Sequence, residues 1–316
     1  MSFHSPFIKT GSRSSAMAAW AMLALMVPCA IYSFLYSPTY ILHLLGYVLF
    51  GMLAEAIYTL VVKRKRRLVC MGSAFSVALL VASVPASMTV VPMLLAILFM
   101  VWIVKLPMTG LPLRFNAAMA GRFFLMIFHH DAIVNWGTPT VDVISTATPQ
   151  ELYRSEGFAL GLPQLLFGRI GGTWEDLFLL VPGSPGETWP LITLLLGFLL
   201  CRKGIVAWRT PLVFLASFMA ASMLFGNEAW ISLFSAATVF SAVFIVTDPV
   251  SSPMSKGGQI AFGLVVGIGN ALLRHYTYYT EAIVYAVLFG NLVSPLLDRV
   301  AFALRGRQLS RRRLSS

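Results

Sequence analysis

The sequence predicts an all-α polytopic membrane protein of about ten transmembrane helices, arranged as a 5+5 inverted repeat with broken helices. Three observations predict it. Of 316 residues, 58% are hydrophobic and only 11% charged, whereas soluble domains carry roughly a quarter charged residues; so few charges cannot cover a water-soluble globule of this size. Long apolar stretches recur from Met17 to the end, each bounded by charges, Gly or Pro, with no soluble domain between them. The basic residues gather in short clusters at the ends of those stretches, chiefly KRKRR at 63–67 and RRR at 311–313. A net charge of +11 placed this way fixes topology and touches anionic membrane lipid; it lacks the basic face that would mark a nucleic-acid binder.

The spans follow in order. The first sixteen residues are polar and carry Lys9 and Arg13, and the first span covers 17–36. Its MVPCAIYSFLY segment offers no clear small-x-small cleavage site, so it reads as a helix and not as a signal peptide. Further spans cover 39–62, 69–86, 88–105, 115–130, 188–201, 210–226, 229–246, 258–274 and 282–298. The third, fifth and sixth are the weakest. They fall short of the ~20 residues that cross a bilayer unaided and are expected as broken or half-length helices whose exposed backbone lines a protein interior.

Placing the N-terminus in the cytoplasm puts 19 of the 23 basic residues inside. The long segment 131–187 carries seven acids and two bases and falls outside. This bias predicts an even number of spans with both termini inside. The chain then divides into a cytoplasmic tail (1–16), a first transmembrane half (17–130), an external loop (131–187), a second half (188–300) and a basic cytoplasmic tail (301–316). Five spans per half is odd, so the second half enters with opposite orientation. Such repeats place binding sites where interrupted segments meet, and the expected pair is LPLRFNAAMAG (111–121) with TDPVSSPMSKGG (247–258).

Cys29, Cys70 and Cys201 are far apart and form no CxxC pair. That speaks against a disulfide framework and against a zinc or iron–sulfur site held by this chain alone; they read as small apolar residues in helices. No metal site is expected elsewhere. His129, His130 and Asp131 crowd the outer end of the fifth span without metal-ligand spacing and read as interface residues.

The informative segment is VDVISTATPQELYR, Val141 to Arg154. Small neighbours leave the Thr148 hydroxyl accessible, and Pro149 biases it toward extended backbone. A threonine presented in this way can accept a transferred group; the alternative is an ordinary polar loop.

The run Asp142-x-x-Ser145-Thr146-Ala147-Thr148 resembles the Asp-x-x-(Ser/Thr)-Gly-Ala-Thr signal for covalent flavin attachment, with Thr146 in the place of glycine. The surrounding chain resembles the RnfD component of the Rnf electron-transport complex and the NqrB component of the sodium-pumping NADH:quinone reductase, the RnfD/NqrB family. The stretches that carry the likeness, in order, are GLPLRFNAAMAG, GSPGETWPLITLLLGFLL, WRTPL, VTDPVSSPMSKGG and FGNLVSPLLD, over roughly residues 70 to 300. The resemblance implies FMN joined through its phosphate to Thr148 by a flavin transferase outside the cytoplasmic membrane, the side on which charge counting independently puts this loop. It implies a second, non-covalent flavin (riboflavin or FMN) or a quinone held between the half-bundles, with Arg114, Asn116, Glu187, Thr188, Thr247 and Asp248 as candidate residues. The expected function is then that of a membrane subunit of an ion-translocating redox complex in a bacterial inner membrane, relaying electrons and coupled to Na+ or H+ movement, with the other complex subunits as partners.

Several residues keep a plainer alternative. Glu55 is an acid inside an apolar span, where it lines an ion path or pairs with a buried base such as Arg122. Glu187 either shapes the flavin site or satisfies orphan amides at a helix N-terminus, and Thr247 and Asp248 are either site residues or a cap and turn. At the level of the whole chain, the rivals are a non-redox transporter or channel of the same architecture and a structural subunit whose flavin site has decayed.

Overall fold

The computed structural model describes residues 14–35, 37–64, 71–109, 111–134, 166, 183–187, 189–227, 229–235, 237–277 and 282–314. Within them all regular structure is helical. The first half contains α1 (Ser14–Leu35), α2 (Thr39–Val61), α3 (Met71–Ala82), α4 (Val90–Leu98), which continues as a π-helical segment (Phe99–Lys105), and α5 (Ala117–Phe128), followed by the short α6 (His130–Val134). The second half contains α7 (Pro190–Arg202), α8 (Arg209–Leu224), α9 (Ala229–Phe234), α10 (Thr238–Phe240), which continues as a second π-helical segment (Ser241–Ile245), α11 (Lys256–Tyr276) and α12 (Ala282–Leu314).

Local sequence explains the helix ends. Asn116 caps α5, its side-chain oxygen accepting from Met119 N at 3.0 Å, and Ser255 caps α11 by accepting from Gly258 N at 2.9 Å, as short polar side chains do at helix starts. Pro190 opens α7, where its missing N–H costs nothing. Gly204 and Gly226 end α7 and α8 with φ of +68° and +73°, a left-handed conformation that glycine adopts without a Cβ penalty.

Among the described residues, four helices are long and apolar enough to cross a membrane: Ala16–Phe34, Thr39–Val61, Lys256–Tyr276 and Ala282–Arg305. The helices Gly72–Ala82, Val90–Lys105, Ala117–Phe128, Pro190–Arg202 and Arg209–Leu224 are apolar but shorter. Among the described residues, the third, fifth and sixth spans are continuous over only 12, 12 and 13 residues. The eighth expected span, 229–246, is interrupted near Ala237, whose φ of +59° breaks the helix. The last helix differs most from expectation. It runs unbroken for 33 residues through the basic stretch assigned to the tail, about 50 Å at 1.5 Å per residue, well beyond a ~30 Å hydrocarbon core.

The same packing recurs five spans apart. In the first half, α3 packs on α1 and α2, while α4 with its π segment packs on α2 and α5. In the second half, α9–α10 with its π segment packs on α7 and α8, while α11 packs on α8 and α12. Across the halves α1 meets α7 and α5 meets α12, first span to first and last to last, as a two-fold relation between the halves requires. This equivalence corrects one expectation. The segment 246–255 follows the third span of its half, so its counterpart is 83–89 after α3, and not 106–116 after the fourth span. Segments 111–121 and 247–258 nevertheless meet in space, because α5 lies against α12 and α12 holds the 246–255 turn.

The core between these helices is apolar and close-packed, with Phe214, Phe218, Phe240, Phe244 and Phe262 fully or almost fully buried. Lipid offers no hydrophobic reward for helix association, so close backbone approach carries the packing. Gly263 and Gly267 let α11 approach α8, where an added Cβ at Gly267 would lie 2.7 Å from Phe214 O and 3.1 Å from Phe218 N.

Candidate functional site

The two π-helical segments each run directly into a polar break, 106–116 and 246–255. Wide π turns leave backbone groups poorly paired and recur at functional positions. Here they bring the two breaks together. Asn116 is 1% exposed. Its side-chain NH2 donates to Ile245 O at 3.3 Å, where the second π segment ends, and to Asp248 Oδ2 at 3.4 Å. Asp248 Oδ2 also accepts from Ser251 Oγ at 3.0 Å, and its Oδ1 accepts from Val250 N at 3.2 Å. Thr247 Oγ1 donates back to Val243 O and closes the last π turn.

The third contributor is α12. Asn291 Oδ1 accepts from Asn116 N at 2.8 Å, and Asn291 Nδ2 donates to Ser251 O at 3.2 Å. Two turns further along α12, Asp298 accepts from Met254 N at 2.9 Å, Ser255 N at 2.9 Å and Ser255 Oγ at 2.5 Å. Gly258 makes room for this carboxylate: a Cβ there would stand 2.5 Å from Asp298 Oδ1. The segments RFNAAMAG, TDPVSSP and GNLVSPLLD, up to 175 residues apart along the chain, therefore form one polar crossing inside an apolar bundle.

Two acids, Asp248 and Asp298, lie at the crossing, with Lys105 nearby. Asp248 lies in the turn between two spans and is half-buried. Loss of water pushes its carboxyl above the usual carboxylate range, against the pull of the Val250 N–H, the Ser251 hydroxyl and the Lys105 charge. Lys105 ends the first π segment and donates to Ser73 Oγ at 2.8 Å and Ser76 Oγ at 3.3 Å, which ties it to the start of α3.

The predicted residues separate into groups. Asn116, Thr247 and Asp248 come together. Arg114 does not join them; its Nε turns back to Leu111 O at 2.9 Å in its own loop. Glu187 lies in a different place. Its carboxylate accepts from Ser184 N, and the loop is pinned where Gly186 N donates to Ala82 O at 2.8 Å, the end of α3. Gly186 packs so tightly on Phe240 and Ala82 that an added Cβ would meet the Phe240 ring at 2.5 Å. Glu55 sits in the C-terminal half of α2 with Oε2 buried and no hydrogen-bond partner for it among the described residues; Arg122 is 2% exposed on α5. Thr188 and the attachment run Asp142, Ser145, Thr146, Ala147 and Thr148 lie outside the described residues.

Sequence reasoning missed Asn291 and Asp298 as members of the site. A signal was present: Asn291 is an amide in the middle of an apolar span, the same anomaly that drew attention to Glu55.

Two half-bundles with interrupted spans, meeting at a buried polar crossing, define a multi-pass membrane protein of the broken-helix repeat class. The chain belongs to the NQR2, RnfD, RnfE family, whose model matches residues 1–303. Among its relatives is the D component of the proton-translocating ferredoxin:NAD(+) oxidoreductase complex of Clostridium ljungdahlii, 28% identical over 315 residues, covering 93% of this chain and 92% of that one. The D component of the Na(+)-translocating ferredoxin:NAD(+) oxidoreductase complex of Acetobacterium woodii is 31% identical over 205 residues, 64% of this chain and 62% of that one. The D component of an ion-translocating oxidoreductase complex of Pseudomonas aeruginosa is 40% identical over 126 residues, 37% of this chain and 36% of that one.

Proposed function

We propose that this chain is the flavin-carrying membrane subunit of an ion-translocating oxidoreductase complex, in the bacterial inner membrane, with both termini cytoplasmic and the 131–187 loop on the outer face. It relays electrons across the membrane as part of that complex, and the coupled ion is H+ or Na+. The observation that carries the reading is the run Asp142-x-x-Ser145-Thr146-Ala147-Thr148 in a chain of this family, on a segment that charge bias places outside. Thr148 offers the hydroxyl for a phosphoester to FMN, and Asp142, Ser145, Thr146 and Ala147 form the segment a flavin transferase reads.

The polar crossing is the place for a second, non-covalent cofactor. The donor set there tests which one. Asn116 already spends its amide donors on Ile245 O and Asp248, whereas the half-buried Asp248 carboxylate can accept beyond its bonds from Asn116, Val250 N and Ser251. Ile245 O is filled by Asn116 Nδ2 and Asp248 N, so the acceptor left to a ligand is the remaining lone-pair capacity of the Asp248 carboxylate. It suits an N–H or hydroxyl donor, such as the imide or ribityl groups of riboflavin or FMN, better than a quinone, whose carbonyls only accept. A flavin there would supply one- or two-electron chemistry. Asp248 would bind it, Asn116 and Thr247 would hold that carboxylate and its turn in place through their own hydrogen bonds, and the surrounding apolar helices would exclude water. Glu55, a half-buried carboxylate in a membrane span with Oε2 out of contact with solvent, is assigned to the cation path on the ground that such groups are costly unless used.

The test is direct. Co-expressed with its flavin transferase, the chain is expected to fluoresce as a band after denaturation and to gain the mass of FMN less water. Thr148→Ala should abolish both signals with membrane insertion unchanged. Asp142→Ala should weaken labelling, and Thr146→Gly should label at least as well as the natural sequence. No labelling of the natural chain beside a labelled control substrate would reject the covalent flavin and favour a transporter or a structural subunit with a decayed site.

A further inference from the structure

We infer that Asn291 is a positioning residue for this site: its carboxamide locks the 111–116 and 246–255 segments into one register. The inference rests on the reading that Asp248, held in place by Asn116, binds a non-covalent flavin.

Asn116 is a helix N-cap, so its own N–H lies outside the α5 hydrogen-bond ladder and must find a partner elsewhere. Ser251 O lies in a turn and has the same need. Both groups are buried in the bundle, and an unpaired backbone group there is costly. Asn291 answers both at once, accepting from Asn116 N at 2.8 Å and donating to Ser251 O at 3.2 Å. A carboxamide does this without charge, because it carries an acceptor and a donor on one planar group. Its reach is fixed by packing on either side. Gly290 lets α12 close on α11, where a Cβ would meet Val266 at 2.5 Å. Phe123 of α5 and Tyr285 of α12 meet edge to face at 5.8 Å, holding α5 against α12. Asp298, seven residues on along the same helix, takes Met254 N and Ser255 N. The rigid helix α12 therefore grips the 246–255 turn at two points and the α5 cap at one. Asn116 can aim its NH2 at Ile245 O and Asp248 only while that grip holds.

The experiment uses the assembled complex purified from membranes, with the chain unaltered or carrying Asn291→Leu, Asn291→Asp, Asn116→Ala or Leu292→Ala. Non-covalent flavin is extracted with acid and quantified per mole of complex, and the midpoint potential of the retained non-covalent flavin is measured. Asn291→Leu should retain about tenfold less flavin, the fold-change that follows from leaving a buried polar group unpaired. Asn291→Asp still accepts from Asn116 N but repels Ser251 O; it should retain an intermediate amount with a shifted potential. Leu292→Ala, on the exposed face of the same helix, should match the unaltered chain. If both Asn291 variants retain full flavin at an unchanged potential while Asn116→Ala empties the site, the positioning role is overturned and the flavin site stands. If Asn116→Ala also retains full flavin, the reading beneath is overturned and the inference falls with it. Should Asn291→Leu fail to assemble, Asn291→Asp decides by the same two readouts.

Discussion

A methyl group added at Gly267 tests how the second half is held together. The Cβ would enter the space of the Ser217 hydroxyl and come within 2.7 Å of Phe214 O and 3.1 Å of Phe218 N. The hydroxyl could rotate away, at the loss of its bonds to Phe214 O at 3.2 Å and Gly263 O at 3.3 Å. The backbone atoms cannot move without separating α8 from α11, which would loosen the packing of the buried Phe214 and Phe218. Overpacking of this kind costs about 1–3 kcal/mol. Two residues further along α11, Gly269 has only Ala286 Cβ in reach, at 3.8 Å. There the same substitution should gain about 0.5–1 kcal/mol, the backbone benefit of alanine over glycine in a helix. Detergent-solubilised protein heated through a series of temperatures and read by fluorescence-detected size exclusion should show Gly267→Ala losing its monodisperse peak several degrees early. Gly269→Ala should match or exceed the unaltered protein. The double variant Gly267→Ala with Ser217→Ala should recover only part of the loss, since backbone remains in the way. Equal melting of the two glycine variants would refute the close-approach argument.

Three further outcomes are expected. A reporter fused after Arg313 should behave as cytoplasmic and one inserted near Gln164 as external; two reports from the same side would mean an odd error in the span count. Glu55→Gln should slow cation-coupled turnover of the complex with covalent flavin content intact, whereas a loss of folded yield would make Glu55 a structural partner, and no change in either would remove both roles. Asp298→Ala strips the acceptor from the exposed Met254 N, which water can then satisfy, and from the part-buried Ser255 N, at about 1 kcal/mol in all, and should lower the same thermal readout slightly; a melting curve unchanged from the natural chain would count against α12 as the anchor of the 246–255 turn.

The sequence by itself determined the solvent. Eleven per cent charge and recurrent apolar runs require lipid around the chain whatever the helices do to one another, and the basic clusters at run ends predict orientation because translocating them is costly. It also determined roughly where the spans lie, and the short third, fifth and sixth spans were readable from their lengths; the caps Asn116 and Ser255 emerged only in the structure. Span positions and lengths are local properties, set by hydropathy. The tertiary structure decided what meets what. Hydropathy cannot distinguish Asn116, which crosses to α12, from Arg114, two residues away, which turns back on its own loop. It placed 111–121 opposite 247–258 as repeat partners, whereas packing makes 83–89 the counterpart of 246–255. Residues 116, 248, 251 and 291 form one network only because α5 lies against α12, and that contact is settled by glycine gaps and aromatic edges summed over whole helices. A buried polar group must find a partner, but its own neighbourhood in the chain does not say which one.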